Sequence, residues 1–336
     1  MIWTFALLIA SAGIIYLSCE TFVNAVEWLG QKLKVTQTAT GTILAAFGTA
    51  LPESVVTLVA VAFGADTAHK EIGIGAAIGG PLALSTVAYA VVGVALLATA
   101  ARAGRARAGT VDADTRRLRR DQLWFLAIFV VKIGLGLVVF SFKPLLGLAF
   151  LAAYAVYCWK ELSDDGSDHQ VEDVGLEPLK LRPRDADPSL FWILLQTLGA
   201  LAVIFFASHL FVQQIGAVGP WLGLSPQLTA LLFSPIATEL PEIMNAIIWV
   251  RQDKERLALA NISGAMMIQA TIPIAFGLFF TPWHLGTPSI LAAFTTMLAI
   301  LFLQWAFRAP QVKSRQLTHV GWLYAAFAVV LWVVPK

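Results

Sequence analysis

The chain has 336 residues, of which 58% are hydrophobic and 13% charged, with a net charge of +2 and a mean hydropathy of +0.75. So little polar surface cannot cover a water-soluble globule of this length, and the composition points to a polytopic membrane protein. Cys19 and Cys158 stand far apart and the five histidines are dispersed, which leaves no disulfide framework and no metal-ligand spacing.

Apolar runs long enough to cross about 30 Å of hydrocarbon fall at 2–29, 38–62, 71–99, 121–141, 144–160, 190–215, 226–250, 256–280, 288–307 and 318–335. The first has no basic stretch before it and continues into repeated sequence, so it reads as a transmembrane helix and not a cleaved signal peptide. Several runs exceed the roughly 20 residues a straight span needs, which predicts tilt or interruption. The expectation is an all-α membrane protein of ten transmembrane helices.

Basic residues near span ends stay on the cytoplasmic side. When loops are assigned alternately, all of the 23 Lys and Arg fall on one side except Lys70, Lys143 and Lys336, with Lys132 inside a span. Both termini are then predicted outside. With five spans per half, the sixth span runs opposite to the first, and the halves are inverted repeats, the plan of secondary transporters. The domains are a first five-helix repeat at 1–160, a cytoplasmic acidic linker at 161–189 and a second repeat at 190–336. Solvated and partly disordered character is expected for the linker and for the basic 102–120 segment.

One stretch occurs twice at a constant offset. Gly41 to Glu53 ends in Gly48-Thr49-Ala50-Leu51-Pro52-Glu53, and Ala230 to Glu242 ends in Ala237-Thr238-Glu239-Leu240-Pro241-Glu242. The match runs upstream without a gap to Glu20 over His209. A carboxylate within a span normally faces a cavity or partner and marks a transport path. Each proline lacks an amide hydrogen and frees the carbonyl one turn back, that of Gly48 or Ala237. Glu53, Glu242, the hydroxyls of Thr49 and Thr238 and these carbonyls make an all-oxygen set suited to hard cations. Glu239, three residues before Glu242, adds a third acid on nearly the same helix face. Grouped carboxylates raise one another's affinity for protons, so proton and metal compete for the same oxygens.

A weaker echo relates Glu71–Gly80 to Arg256–Ala265, rich in small residues that allow close helix approach. Asn261 and Gln269 are the polar groups of the second copy, and Ala76 stands opposite Asn261. Glu20, Asn24 and Glu27 share helical spacing and are expected against protein or the cytoplasmic boundary. Gln269 reads as helix glue, His209 as an interhelical bond. Lys132 calls for a carboxylate partner or a water path, while Trp28, Trp159, Trp221 and Trp283 read as interfacial anchors.

Phe47-Gly48-Thr49-Ala50-Leu51-Pro52-Glu53, the lead-in Glu20–Gly30 and Thr238-Glu239-Leu240-Pro241-Glu242 resemble the two alpha repeats of the Ca²⁺/cation antiporter superfamily, which includes sodium/calcium exchangers. The resemblance implies cation antiport of Ca²⁺ or a related cation against Na⁺ or H⁺ by alternating access. It implies Glu53 and Glu242 as the central cation-binding carboxylates, Thr49 and Thr238 as ligands and Asn261 as a site position. The sequence departs from the family pattern at Ala50, Glu239, Ala76, Gly79-Gly80-Pro81 and Gly264-Ala265-Met266. No cofactor is expected beyond the transported Ca²⁺, Na⁺ or H⁺. The expected partners are inorganic cations and the lipid bilayer of the cell membrane, not nucleic acid. The alternatives are a proton-coupled Na⁺ or Ca²⁺ exchanger and a non-transporting membrane sensor. A membrane-embedded enzyme is disfavoured, since no nucleophile, base and metal cluster converge.

Overall fold

The computed structural model describes residues 2–36, 39–63, 67–103, 109–111, 113–138, 140–163, 176–218, 221, 235, 238–309 and 311–333. These are helical almost throughout. Helix α1 (Ile2–Leu33) is followed by a π-helical segment, Thr40–Ala45, that runs into α2 (Ala46–Phe63). Helix α3 (Thr67–Ala83) passes through a second π segment, Leu84–Ala88, into α4 (Tyr89–Ala103). Then come α5 (Thr115–Leu137), α6 (Leu146–Ser163), α7 (Leu190–Val218), α8 (Leu240–Arg251), α9 (Glu255–Gln269), α10 (Ile272–Phe280), α11 (Thr287–Ala306) and α12 (Ser314–Val333). Strands β1 (Thr110–Val111) and β2 (Val312–Lys313) pair antiparallel.

Among the described residues, six stretches are long and apolar enough to cross a membrane: Ile2–Leu33, Gly73–Thr99, Lys143–Ser163, Leu190–Phe211, Glu255–Phe280 and Thr287–Ala306. The expected interruptions have local causes. Pro81 sits inside α3, where it cannot donate to the ladder, and the chain rewinds as a π turn three residues later. The run 256–280 is split at Thr271, with Pro273 in the first turn of α10, where its missing N–H costs nothing. Pro241 opens α8 in the same way. The first knot behaves otherwise: α2 continues through Leu51, Pro52 and Glu53 to Phe63, so its proline does not interrupt the run.

Helix α9 is the centre of the bundle, with every residue from Leu257 to Gln269 buried. It packs against α8, α2, α5 and the first π segment, while α1 pairs along its length with α7 and α12 lies against α4. Small residues let α9 reach the π segment. A Cβ on Gly41 would lie 2.8 Å from that of Ala260, the close approach such residues allow in membranes.

The basic segments converge. β1 joins β2, Arg117 meets the buried Glu161 at 2.6 Å, Arg120 also pairs with Glu161, and Gln304 accepts from Arg119 at 3.5 Å. Asp114 caps α5 by accepting from the amides of Arg116 and Arg117.

Two expectations need correction. The described part of the linker, 176–189, is mostly exposed, as expected, but it is ordered and docked: Trp28 Nε1 and Asn24 Nδ2 donate to the Glu177 carbonyl at 3.0 and 3.3 Å, and Lys180 N donates to Asn24 Oδ1 at 3.2 Å. Leu179 packs with Ala25, Trp28 and Ile193 in a small core of its own. Residues 164–175 lie outside the described residues. Trp283 is no interfacial anchor either. It is fully buried, with its ring against Gly277 and its Nε1 donating to the Lys132 carbonyl at 3.1 Å, because the chain leaves α10 through an extended Thr281 and turns back onto the bundle.

Candidate functional site

The second knot is a true break in the helix. Thr238 Oγ1 donates to the Pro235 carbonyl at 3.2 Å, and the Glu239 amide donates to the same oxygen at 3.1 Å. Glu239 then takes the N-cap position of α8, with φ −86° and ψ 4°. This places Glu239 and Glu242 at a helix start, where unpaired amides and the helix dipole favour negative charge. Both acids are buried, at 0% and 1% exposure; Glu239 does not face the cytoplasm.

Three buried amide side chains lie on or against the same helix start. Gln269 Nε2 donates to both carboxylate oxygens of Glu239 at 2.7 Å, which makes it a specific partner of the acid and more than helix glue. Asn261 Nδ2 donates to the Glu242 carbonyl at 3.4 Å, and its Oδ1 has no hydrogen-bond partner among the described residues. Asn245, one turn after Glu242, is 0% exposed, and neither atom of its amide has a hydrogen-bond partner among the described residues. Sequence reasoning passed over Asn245. Its signal was a polar residue at i+3 from a buried acid within an apolar run.

Glycines bring the neighbouring helices in. A Cβ on Gly80 would stand 2.9 Å from Glu239 Oε1 and 2.4 Å from Gln269 Oε1, and one on Gly79 would meet Pro235 at 2.6 Å. The third run thus faces the second knot with glycines, whose missing side chains make room for Pro235, Glu239 and Gln269. A Cβ on Gly41 would lie 3.3 Å from the Asn261 amide nitrogen, so the π segment before the first knot lies beside the same helix.

In the first knot, Thr49 is buried and its hydroxyl donates to the Ala45 carbonyl at 3.1 Å, which leaves the oxygen lone pairs able to accept or ligate. Gly48 packs against Phe22 and Leu201. Thr57 Oγ1, further along α2, is buried with no hydrogen-bond partner among the described residues. The side chain of Glu53 and all of Ala237 lie outside the described residues. Among the described residues no three His, Cys, Asp or Glu side chains are grouped as a metal centre. The donors present are carboxylate, amide and carbonyl oxygens, a set for hard cations.

Glu27 accepts from Trp249 Nε1 at 2.9 Å and pairs with Lys254, and Glu20 pairs with Lys180 at 3.3 Å. Both tie α1 to neighbouring segments, as their position at the boundary implies. His209 is exposed and bonds Gln213 on its own helix at 2.9 Å, not a neighbouring one.

Residues 3–160 and 192–335 match the family described as sodium/calcium exchanger protein. Among curated proteins, inner membrane protein YrbG of Escherichia coli (strain K12) is 24% identical over 344 residues, spanning 100% of this chain and 99% of that one. The fold is similar to that of the sodium-calcium exchanger NCX_Mj. Soaked with 2.5 mM Na⁺ and 0.1 mM Ca²⁺, that structure superposes with a TM-score of 0.74 at 18% identity, covering 100% of both chains. With 2.5 mM Na⁺ and 1 mM Sr²⁺ the TM-score is 0.75 at 17% identity, again over 100% of both chains.

Proposed function

The chain belongs to the sodium/calcium exchanger protein family, and from that premise we propose that it is a secondary-active antiporter moving Ca²⁺ or a related cation against Na⁺ or H⁺ by alternating access. The observation that carries this reading is the pair Glu239 and Glu242, buried at the start of α8 beside the amides of Asn245, Asn261 and Gln269. Buried acids at a helix break in mid-membrane mark ion paths.

In this reading the cation binds between Glu242 and Glu53. Thr49, Thr238 and the carbonyls of Gly48 and Ala237 complete the shell, and Asn261 positions the Glu242 turn. The ten spans form two inverted five-helix repeats, 1–160 and 190–336, with both termini outside the cell membrane. Two halves of opposite orientation supply the two access states. Glu239 points to H⁺ as the counter-ion: it places a third carboxylate where the first repeat has Ala50, and intramembrane carboxylates form proton relays in pumps and transporters.

The test is flux in proteoliposomes. Purified protein is loaded with Ca²⁺ or Na⁺ and challenged with an imposed Na⁺ or pH gradient. Wild type is expected to exchange, while Glu53→Gln and Glu242→Gln each lose at least about tenfold of the rate, the effect of roughly 1.4 kcal/mol of lost cation stabilisation. Flux that ignores both substitutions would remove the site. Absence of flux for any cation would favour a non-transporting sensor.

A further inference from the structure

Glu161, in the last turn of α6, is 1% exposed, and two arginines of α5 close on it. Arg117 donates to Oε2 from Nε at 2.9 Å and from Nη2 at 2.6 Å, while Arg120 takes Oε1. Arg117 Nη2 also donates to the Glu161 carbonyl at 3.3 Å. A carboxylate held on both oxygens by two planar guanidinium groups has a fixed position and orientation.

The same carboxylate reaches a third element. Thr42 Oγ1 donates to Glu161 Oε2 at 3.5 Å, and Thr42, fully buried, lies in the π segment Thr40–Ala45 that runs directly into α2. Two other helices close on that segment. A Cβ on Gly264 of α9 would stand 2.1 Å from the Thr42 carbonyl oxygen, and one on Gly30 of α1 would stand 2.2 Å from Thr40 Oγ1.

The winding of this segment decides where the first knot points. The Ala46 amide donates to the Gly41 carbonyl, five residues back, where an α-helix would use the residue four back. Rewinding the segment as α-helix would shift α2 by one residue, about 100° about its axis. Thr49 and Glu53, both on α2, would be carried round with it. π turns are rare and concentrate at functional sites, and contacts from α1, α6 and α9 hold this one.

We propose that Glu161 is a positioning residue for cation exchange: clamped by Arg117 and Arg120, its carboxylate grips Thr42, keeps Thr40–Ala45 in its π form and so fixes the rotation of α2 that presents the first knot to the second. The inference rests on the cation-exchange reading and deepens it, by naming what holds one half of the site in register with the other.

The experiment measures cation affinity of the purified full chain from the rise of its unfolding midpoint with added Ca²⁺ or Na⁺. Wild type is compared with Thr42→Val, Thr42→Ser, Glu161→Gln and the double variant Thr42→Val/Glu161→Gln. If Gln leaves the arginines unmatched and the chain does not fold, Glu161→Asp replaces it, since Asp keeps the charge and draws its oxygens back from Thr42. The expected result is that Thr42→Val and the Glu161 variant each weaken cation binding at least about threefold, and that the double variant is no weaker than the weaker single. Thr42→Ser, which keeps the hydroxyl, is expected to bind as wild type does. Wild-type affinity in Thr42→Val, losses that multiply in the double variant, or a Ser variant no better than Val each overturn the proposal. So does a lowered cation-free midpoint with unchanged affinity, which would assign Glu161 to stability alone. Wild-type protein whose unfolding ignores both cations counts against the exchange reading. The grip is then read from the cation-free midpoints, where additive shifts of the two single variants overturn it and non-additive shifts sustain it.

Discussion

A methyl group on Gly264 would lie 2.1 Å from the carbonyl oxygen of Thr42 and 2.6 Å from its Cα. Backbone cannot swing aside as a side-chain tip can, so Gly264→Ala is expected to cost about 1–3 kcal/mol, and Gly264→Leu more, by overpacking. Thermal unfolding in detergent checks this, and an unshifted midpoint for the Leu variant would contradict the close approach of α9 to Thr42. Asn245 predicts the opposite sign. A buried amide with no hydrogen-bond partner is itself destabilising, so Asn245→Leu is expected to raise stability by about 1 kcal/mol while weakening the stabilisation conferred by added Ca²⁺. Loss of stability without change in the Ca²⁺ response would make Asn245 a packing residue. The sequence marked Glu239 and Glu242 through their place in the repeat. Asn245 has no counterpart in the motif, and only burial distinguishes it.

At the scale of elements, the second knot and the linker carry the lesson. Both knots have the same Thr-x-Leu-Pro-Glu pattern, yet α2 runs through its proline while α8 begins at its own. Proline costs a helix one hydrogen bond and some crowding, and neighbouring contacts decide whether that ends it. In the second knot the Pro235 carbonyl is taken by the Thr238 hydroxyl and the Glu239 amide, which closes a turn ahead of α8. The linker was read from charge and proline content as solvated, and composition indeed describes an isolated chain. Its docking depends on partners distant in sequence, namely Asn24 and Trp28 on α1 and Gln196 on α7. Asn24→Ala is therefore expected to release the strap and speed tryptic cleavage after Lys180 and Arg184. Cleavage at the wild-type rate would place the anchoring elsewhere.

For the whole molecule, orientation follows from charge. Contacts between β1 and β2, Arg117 and Glu161, and Arg119 and Gln304 gather three of the basic segments, and the proposed orientation, from the asymmetry of Lys and Arg, puts that end in the cytoplasm. In a variant lacking Cys19 and Cys158, a membrane-impermeant thiol reagent applied to intact cells is expected to label His284→Cys and to spare Arg315→Cys. The reverse pattern would invert the topology. Membrane character, six of the apolar spans, the duplicated motif and its acids were determined by the sequence alone, because hydropathy, periodicity and repetition are local properties that one chain displays in order. Three things were decided by tertiary structure: that Gln269 binds Glu239, that 176–189 is pinned to α1 and α7, and that Lys132 donates to the Ala77 carbonyl. Each joins residues far apart in the chain across a packed interface, and such pairings are set by which helices touch and at what height, which no local pattern encodes.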